Sequence, residues 1–327
     1  METRIESTSS LQPQRDTPDP AILNPFLHTA GVTAFQKYFS IVPKKADIPY
    51  LQEILYHFSK FPYENLSKII KHYRESEYLQ KMRLPLEVME GHIQNRLGGT
   101  CFSLTFFLQT ILVHSGYRCY PIMADMKWRP NSHCVVIVNL DDLQYLVDPG
   151  YLLNQPMQMT LEKPRIYDSE FSGVELVYRP ESDVFEVYTF NKTEMKWRYR
   201  FRNRPCPPEE FLGHWISSFS WNSMHGLCLT KSERGRLIYV HKHHMRESTF
   251  DGKQNINIKK DYHRRIFETF GIDIPIIEQA LAAVESNMAK ERELGLWIPK
   301  SDRHAAVNNQ QSAFDGQTSE IMKANRP

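Results

Sequence analysis

Cysteine is scarce in this 327-residue chain. The five present, Cys101, Cys119, Cys134, Cys206 and Cys228, are odd in number and scattered without metal-ligand spacing. That excludes a disulfide framework and a zinc site of closely spaced thiols. With no hydrophobic signal segment at the N-terminus, reduced thiols in the cytoplasm are the expectation. An excess of one charge is also missing: 40 basic against 38 acidic residues leave +2, too little to point to nucleic acid or a membrane surface. No apolar run approaches membrane-spanning length. A glycine-rich phosphate loop, of either the P-loop or the dinucleotide type, is absent as well. What remains is 41% apolar and 12% aromatic, a chain long enough for two or three packed layers or small domains.

The ends are polar and read as disordered tails, 1–25 and 299–327. Between them the pattern is helical first. Over residues 48–58, Leu51, Ile54, Leu55 and Phe58 recur at i, i+3, i+4 and i+7, with Pro49 suited to a first turn. Residues 84–94 read as a short helix. The stretch Arg96-Leu97-Gly98-Gly99-Thr100-Cys101 opens an apolar run of helical length that Gly116 can stop. Strand patterns follow: 118–128, a hairpin of 132–140 and 144–150 around Asp141-Asp142, then 173–178, 184–188 and 196–201. From Gly226 come a strand, 237–241, and helices over 261–270 and 276–284, the last extending through 287–292. Helices followed by successive antiparallel strands define an α+β protein.

Chemistry concentrates at two places. Cys101 lies in the first turn of its helix, where unpaired N–H groups and partial positive charge favour thiolate over thiol. Gly98 and Gly99 let the chain turn tightly without a Cβ blocking the sulfur. His133 opens the first strand of the hairpin and Asp148 ends the second, so the two can meet. A cysteine, an imidazole and an orienting carboxylate make up the nucleophile–base–orienter arrangement of covalent catalysis. The same residue types also fit a core cysteine and a strand-start histidine, so both readings stand on the residues alone. His241-Lys242-His243-His244 lacks a carboxylate or cysteine partner and reads as a partly exposed strand end, with no metal expected. Lys259-Lys260 and Arg264-Arg265 read as a solvated helix face.

These pieces resemble the arylamine N-acetyltransferases, whose motifs run Arg-Gly-Gly-x-Cys, a histidine opening a strand, and Val-Asp-x-Gly closing the next. Here they are Gly98-Gly99-Thr100-Cys101, Ser132-His133 and Val147-Asp148-Pro149-Gly150. Phe61-Pro62-Tyr63-Glu64-Asn65-Leu66 is similar to the family's Pro-Phe-Glu-Asn-Leu. The similarity runs loosely from about residue 35 to 284. Four departures stand out: Leu97, not arginine, precedes the glycines; Ser103 and Thr105 occupy positions usually acidic or amide; Leu152 replaces a second glycine.

The resemblance implies a helical domain carrying the nucleophile (26–117), a β-barrel carrying His133 and Asp148 (118–225) and an α/β domain (226–298), with a cysteine-protease-like core. It implies a ping-pong enzyme that takes an acetyl group from acetyl-coenzyme A, bound as a substrate and not as a permanent cofactor, and passes it to an arylamine or arylhydrazine. Glu64 is expected to pair with Arg96 behind the glycine turn. Trp128 is expected to shape the acceptor pocket, and Ser132, Ser217, Ser220 and Ser223 to meet acceptor or coenzyme. A cysteine hydrolase or amide-forming enzyme with another acyl substrate, and a non-catalytic binding relative, are the alternatives.

Overall fold

The computed structural model describes residues 17–151, 154–169 and 171–296. Helix α1 (Thr29–Phe39) is followed by α2 (Ile48–Phe58), where Asp47 caps the first turn by accepting from Tyr50 N–H at 2.8 Å. α2 buries Leu51, Ile54, Leu55 and Phe58, the face the spacing predicts. After a two-residue strand β1 (Tyr63–Glu64) come α3 (Leu66–Arg74), α4 (Tyr78–Lys81) and α5 (Pro85–Asn95). Helix α6 (Cys101–His114) is apolar nearly all round because it is buried nearly all round. Gly116 ends it at φ +87°, a backbone conformation open to glycine, and Tyr117 N–H returns to Leu112 O at 3.0 Å.

Eight antiparallel strands form the nearly closed barrel. They are β2 (Arg118–Met126), β3 (Arg129–Leu140), β4 (Leu143–Val147), β5 (Met157–Gln158), β6 (Arg165–Asp168), β7 (Gly173–Arg179), β8 (Val184–Phe190) and β9 (Met195–Phe201), in spatial order β5-β4-β3-β2-β9-β8-β7-β6. β3 explains its own sequence. Val135 and Ile137 point into the barrel with Ile122, Leu146, Val187 and Tyr199. Val136 and Val138 point the other way, onto Leu104, Phe107, Leu108 and Ile111 of α6. With both faces covered, the strand carries an unbroken apolar run instead of an alternation. Each such side chain contributes about 1.5–3 kcal/mol over leaving it exposed, so the barrel wall is firmly seated on the nucleophile's helix.

Helix α7 (Pro208–Ser217) leads to a second sheet, β1-β10-β11-β12-β13, built from β10 (Cys228–Glu233), β11 (Arg236–His241), β12 (His244–Ser248) and β13 (Lys253–Asn257). Helices α8 (Tyr262–Phe270) and α9 (Ile274–Glu293) close the described chain. The fold is α+β, as expected, with two refinements. Residues 17–25, assigned to a disordered tail, are ordered: Asp19 caps a 3-10 turn over Pro20–Leu23 and Leu23 is buried. The helix expected over 276–284 and its extension are one helix of 20 residues. The other residues assigned to the tails, and Leu152, lie outside the described residues. Among the described residues no helix is long and apolar enough to cross a membrane.

Candidate active site

Cys101 is the first residue of α6, after Thr100 in extended conformation, so its sulfur sits where the first N–H groups of the helix lack intrahelical acceptors. The turn behind it is clamped from below. Arg83, buried, donates to Glu64 Oε1 at 3.1 Å, to Ser67 Oγ at 2.9 Å and to the Gly98 carbonyl at 2.5 Å. Glu64, with no exposed surface, also accepts from Ser67 N–H at 2.9 Å, and its own N–H donates to Gly99 O at 3.0 Å. Glycine is required here on steric grounds: a Cβ on Gly98 would lie 1.8 Å from the Pro62 carbonyl oxygen.

The sequence reading assigned this pairing to Arg96, and the structure corrects it. Arg96 is the left-handed C-cap of α5, φ +56°, which turns its side chain outward to donate to Tyr38 Oη at 2.6 Å. It borders a separate cleft of ≈ 560 Å³ behind the turn, with Lys60, Lys231 and Arg234. The Glu64 partner is 19 residues on, and no local spacing announced it.

His133 and Asp148 do meet. The register Val136↔Val147 sets Asp148, one residue past β4, across from Val135 and diagonal to His133 on the barrel-facing side. His133 Nε2 lies 3.1 Å from each carboxylate oxygen. Asp148 also accepts from Gly150 N–H at 2.9 Å and from Tyr199 Oη–H at 2.7 Å. Tyr199 stacks obliquely on the imidazole, centroids 4.8 Å apart; in the sequence it is marked only as part of the strand expected over 196–201. Because Nε2 is committed to Asp148, Nδ1 is the ring nitrogen left for the thiol.

The electrostatics follow from these contacts. The Cys101 thiol is held well below its ordinary range: first by a hydrogen bond from Cys134, then by the hydrogen bond and charge of His133 and the charge of Lys68, which together outweigh burial. Burial would lower His133, but the charge and hydrogen bond of Asp148 and the contact with Cys101 override it, raising the imidazole to about 10. Both directions favour the thiolate–imidazolium form of the pair over the neutral one. Cys134, Lys68, Arg83 and Tyr199 were not singled out from the sequence. For Cys134 a signal existed, since it adjoins His133; for the others only the fold reveals it.

Beside this centre lies a cleft of ≈ 480 Å³ lined by Trp128, Arg129, Ser220, Trp221, Asn222 and Ser223. Trp221 packs on Phe102, the residue after the nucleophile, with centroids 6.0 Å apart. Trp128 meets Trp221 edge to face at 5.6 Å and is 57% exposed. Asn65 fixes the far wall, donating to the carbonyls of Ser223 (2.8 Å) and Gly226 (2.9 Å) and accepting from Cys228 N–H. Two expected contact residues are occupied otherwise. Ser132 Oγ closes the turn onto Arg129 O at 2.7 Å, and Ser217 Oγ, at the end of α7, bonds back to His214 O at 2.9 Å. The departures at Ser103 and Thr105 are buried in packing: Ser103 lies against Gly99, and Thr105 Oγ donates to Cys134 O at 3.0 Å.

Comparison with known proteins assigns the class. A model of the N-acetyltransferase family matches residues 47–279. The arylamine N-acetyltransferase of Mycobacterium abscessus superposes with a TM-score of 0.69 at 13% identity, covering 82% of this chain and 99% of its own. That of M. tuberculosis gives 0.64 at 17%, covering 77% and 99%. That of M. marinum, solved in complex with CoA, gives 0.64 at 14%, covering 78% and 98%. No curated protein matches in sequence. The chain belongs to the arylamine N-acetyltransferase family. It is accordingly an enzyme, an acyltransferase of that type.

Proposed function

We propose that the chain moves an acetyl group from acetyl-coenzyme A to the nitrogen of an arylamine or arylhydrazine through a thioester on Cys101. The observation that carries this is the His133 imidazole held by Asp148 through Nε2 and hydrogen-bonded to the Cys101 sulfur. In this reading the nucleophile comes from the 26–117 part of the chain, and its base and orienter from the 118–225 part; 226–298 supplies the sheet that braces Asn65.

The Cys101 thiolate attacks the acetyl carbonyl, and the first-turn N–H groups of α6 stabilise the oxyanion. The carbon–sulfur bond to coenzyme A breaks, and the departing thiolate takes the proton from the His133 imidazolium. His133, now neutral, accepts a proton from the amine as its nitrogen attacks the acetyl-enzyme. Collapse expels Cys101 as thiolate beside a protonated His133, which restores the resting pair. Asp148 holds the ring and stabilises its positive charge throughout. The Trp128–Trp221 corner suits an aromatic acceptor. Ser220, Ser223 and Arg129 offer polar contacts to the pantetheine or phosphates of the donor, in keeping with the CoA complex of the M. marinum protein. Five free thiols suit a reducing compartment, and we place the protein in the cytoplasm.

The test is acyl-enzyme trapping. Wild-type protein mixed with acetyl-coenzyme A should yield an acetyl adduct on the Cys101 peptide by mass spectrometry, discharged by an arylamine and absent from Cys101→Ala. A folded wild-type protein that never acquires the adduct refutes the reading.

A further inference from the structure

Lys68 is a buried cation that the chemistry above does not use. It sits on the first turn and a half of α3, 7% exposed. Its ammonium donates to Ser218 O at 3.1 Å and Ser218 Oγ at 2.5 Å, and lies over the rings of Phe219 (4.6 Å) and Trp221 (5.9 Å). Among the described residues no carboxylate lies within ion-pairing distance of it. A buried charge without a counter-ion costs several kcal/mol, and π faces and hydroxyls offset only part of that. Cys101 belongs to the same buried core as Phe219 and Trp221, the two rings beneath the ammonium. Trp221, under the ammonium, packs on Phe102. The segment leading into α3 is bonded to the turn before Cys101 through Glu64 N–H and Gly99 O.

We propose that Lys68 is a second cationic positioning residue of the site, whose ammonium takes the Cys101 thiolate as its counter-ion and fixes the Ser218–Trp221 wall of the cleft against the nucleophile. This rests on the thiolate reading of Cys101 given above. The titratable groups that face the sulfur are then His133 and Cys134 from β3, Lys68 from α3 and Tyr63 from β1. The influence is mutual. Burial drives Lys68 down and Cys101 and Cys134 pull it partly back, leaving it at about 8, and the charge of Lys68 in turn lowers Cys101. The ammonium therefore persists at neutral pH and begins to discharge above it. Its attachment to Ser218 links that charge to the cleft wall, so one side chain serves both the nucleophile and the shape of the binding face.

The experiment is the pH dependence of Cys101 alkylation by iodoacetamide in wild type, Lys68→Met and Lys68→Arg. Methionine keeps the length and removes the charge, and a thiolate left without its cation is expected to take up a proton instead of staying a buried anion. The alkylation profile of the Met variant should move to higher pH than that of wild type, with the rates converging at about pH 10. Arginine should retain the acid limb and lose any inflection near pH 8, because it does not deprotonate. Superimposable profiles for wild type and Lys68→Met, with native circular dichroism, overturn the inference. Should the Met variant fail to fold, an inflection near pH 8 that survives unchanged in Lys68→Arg overturns it. A wild-type Cys101 inert at every pH sinks the thiolate reading and this inference together. A reactive Cys101 indifferent to Lys68 sinks this inference alone.

Discussion

Replacing Gly150 by alanine isolates the placement of the imidazole. A Cβ at this position would lie 2.6 Å from His133 Cε1, 3.2 Å from Asp148 Oδ1 and 3.5 Å from His133 Nδ1. Gly150 is not among the glycines with positive φ, so alanine incurs no backbone penalty and the effect is one of space. Relieving a 2.6 Å contact to ordinary carbon separation moves the ring by about 1 Å. That distance takes Nδ1 out of line with the thiol, a displacement worth about 100-fold in rate, or about 2.7 kcal/mol of barrier. Overpacking should also lower stability by about 1–3 kcal/mol. The assay is single-turnover formation of acetyl-Cys101 from acetyl-coenzyme A, with urea unfolding in parallel. Gly213→Ala serves as control, since a Cβ there meets nothing within 4 Å on α7. It should gain up to about 1 kcal/mol of helix stability and leave the rate unchanged. A Gly150→Ala enzyme acylated within twofold of wild type would refute the claim that imidazole placement limits the first stage.

Arg83→Met leaves Glu64 buried without its partner and should cost about 3–5 kcal/mol in urea unfolding, well above the effect of Arg96→Met, whose side chain only reaches Tyr38. Tyr199→Phe removes the 2.7 Å bond to Asp148 and should destabilise by about 1.5–3 kcal/mol, with a fall in acylation rate that adds nothing to the larger loss of Asp148→Asn in the double variant. Cys134→Ala removes the strongest influence holding the Cys101 thiol low, so its alkylation profile should move to higher pH while the protein stays folded. His133 is raised from 6.5 to about 10, so its protonation adds stability that is complete below pH 6.5 and is lost as pH rises through 10. Asp148→Asn should flatten that alkaline decline in chemical denaturation; an unchanged slope would count against the His133–Asp148 pair as its source.

The helices and strands that sequence patterning placed well are those whose burial has a single period. α2 shows its face at i, i+3, i+4 and i+7, and β8 and β9 lie over the strand patterns at 184–188 and 196–201. α3 escaped notice because its apolar residues are interrupted by Lys68 and Lys71. One of these is buried among aromatics and the other is paired with Glu87, and patterning reads both as solvent-facing. The centre was legible where its members are tied by short-range geometry: Cys101 to its helix end, His133 to Asp148 across one hairpin. The supports were not. Arg83 reaches Glu64 from 19 residues away, and Tyr199 reaches Asp148 from 51. Such distances are set by the docking of whole elements, and a spacing rule carries no trace of them. Arg96 misled for the converse reason: adjacency to the glycines along the chain, with a left-handed cap that points it elsewhere.

Helix α9 leans on α3, where Ile277, Ala280, Ala283 and Val284 share a core with Leu66, Ile69 and Ile70, and Asn287 donates to the Ile69 carbonyl. The scaffold beneath the nucleophile therefore waits for a helix translated long after the cysteine itself. A nascent chain stalled before residue 274 would carry the thiol, the imidazole and the carboxylate without the brace that seats them, so its sulfur would stay chemically quiet until α9 has been made.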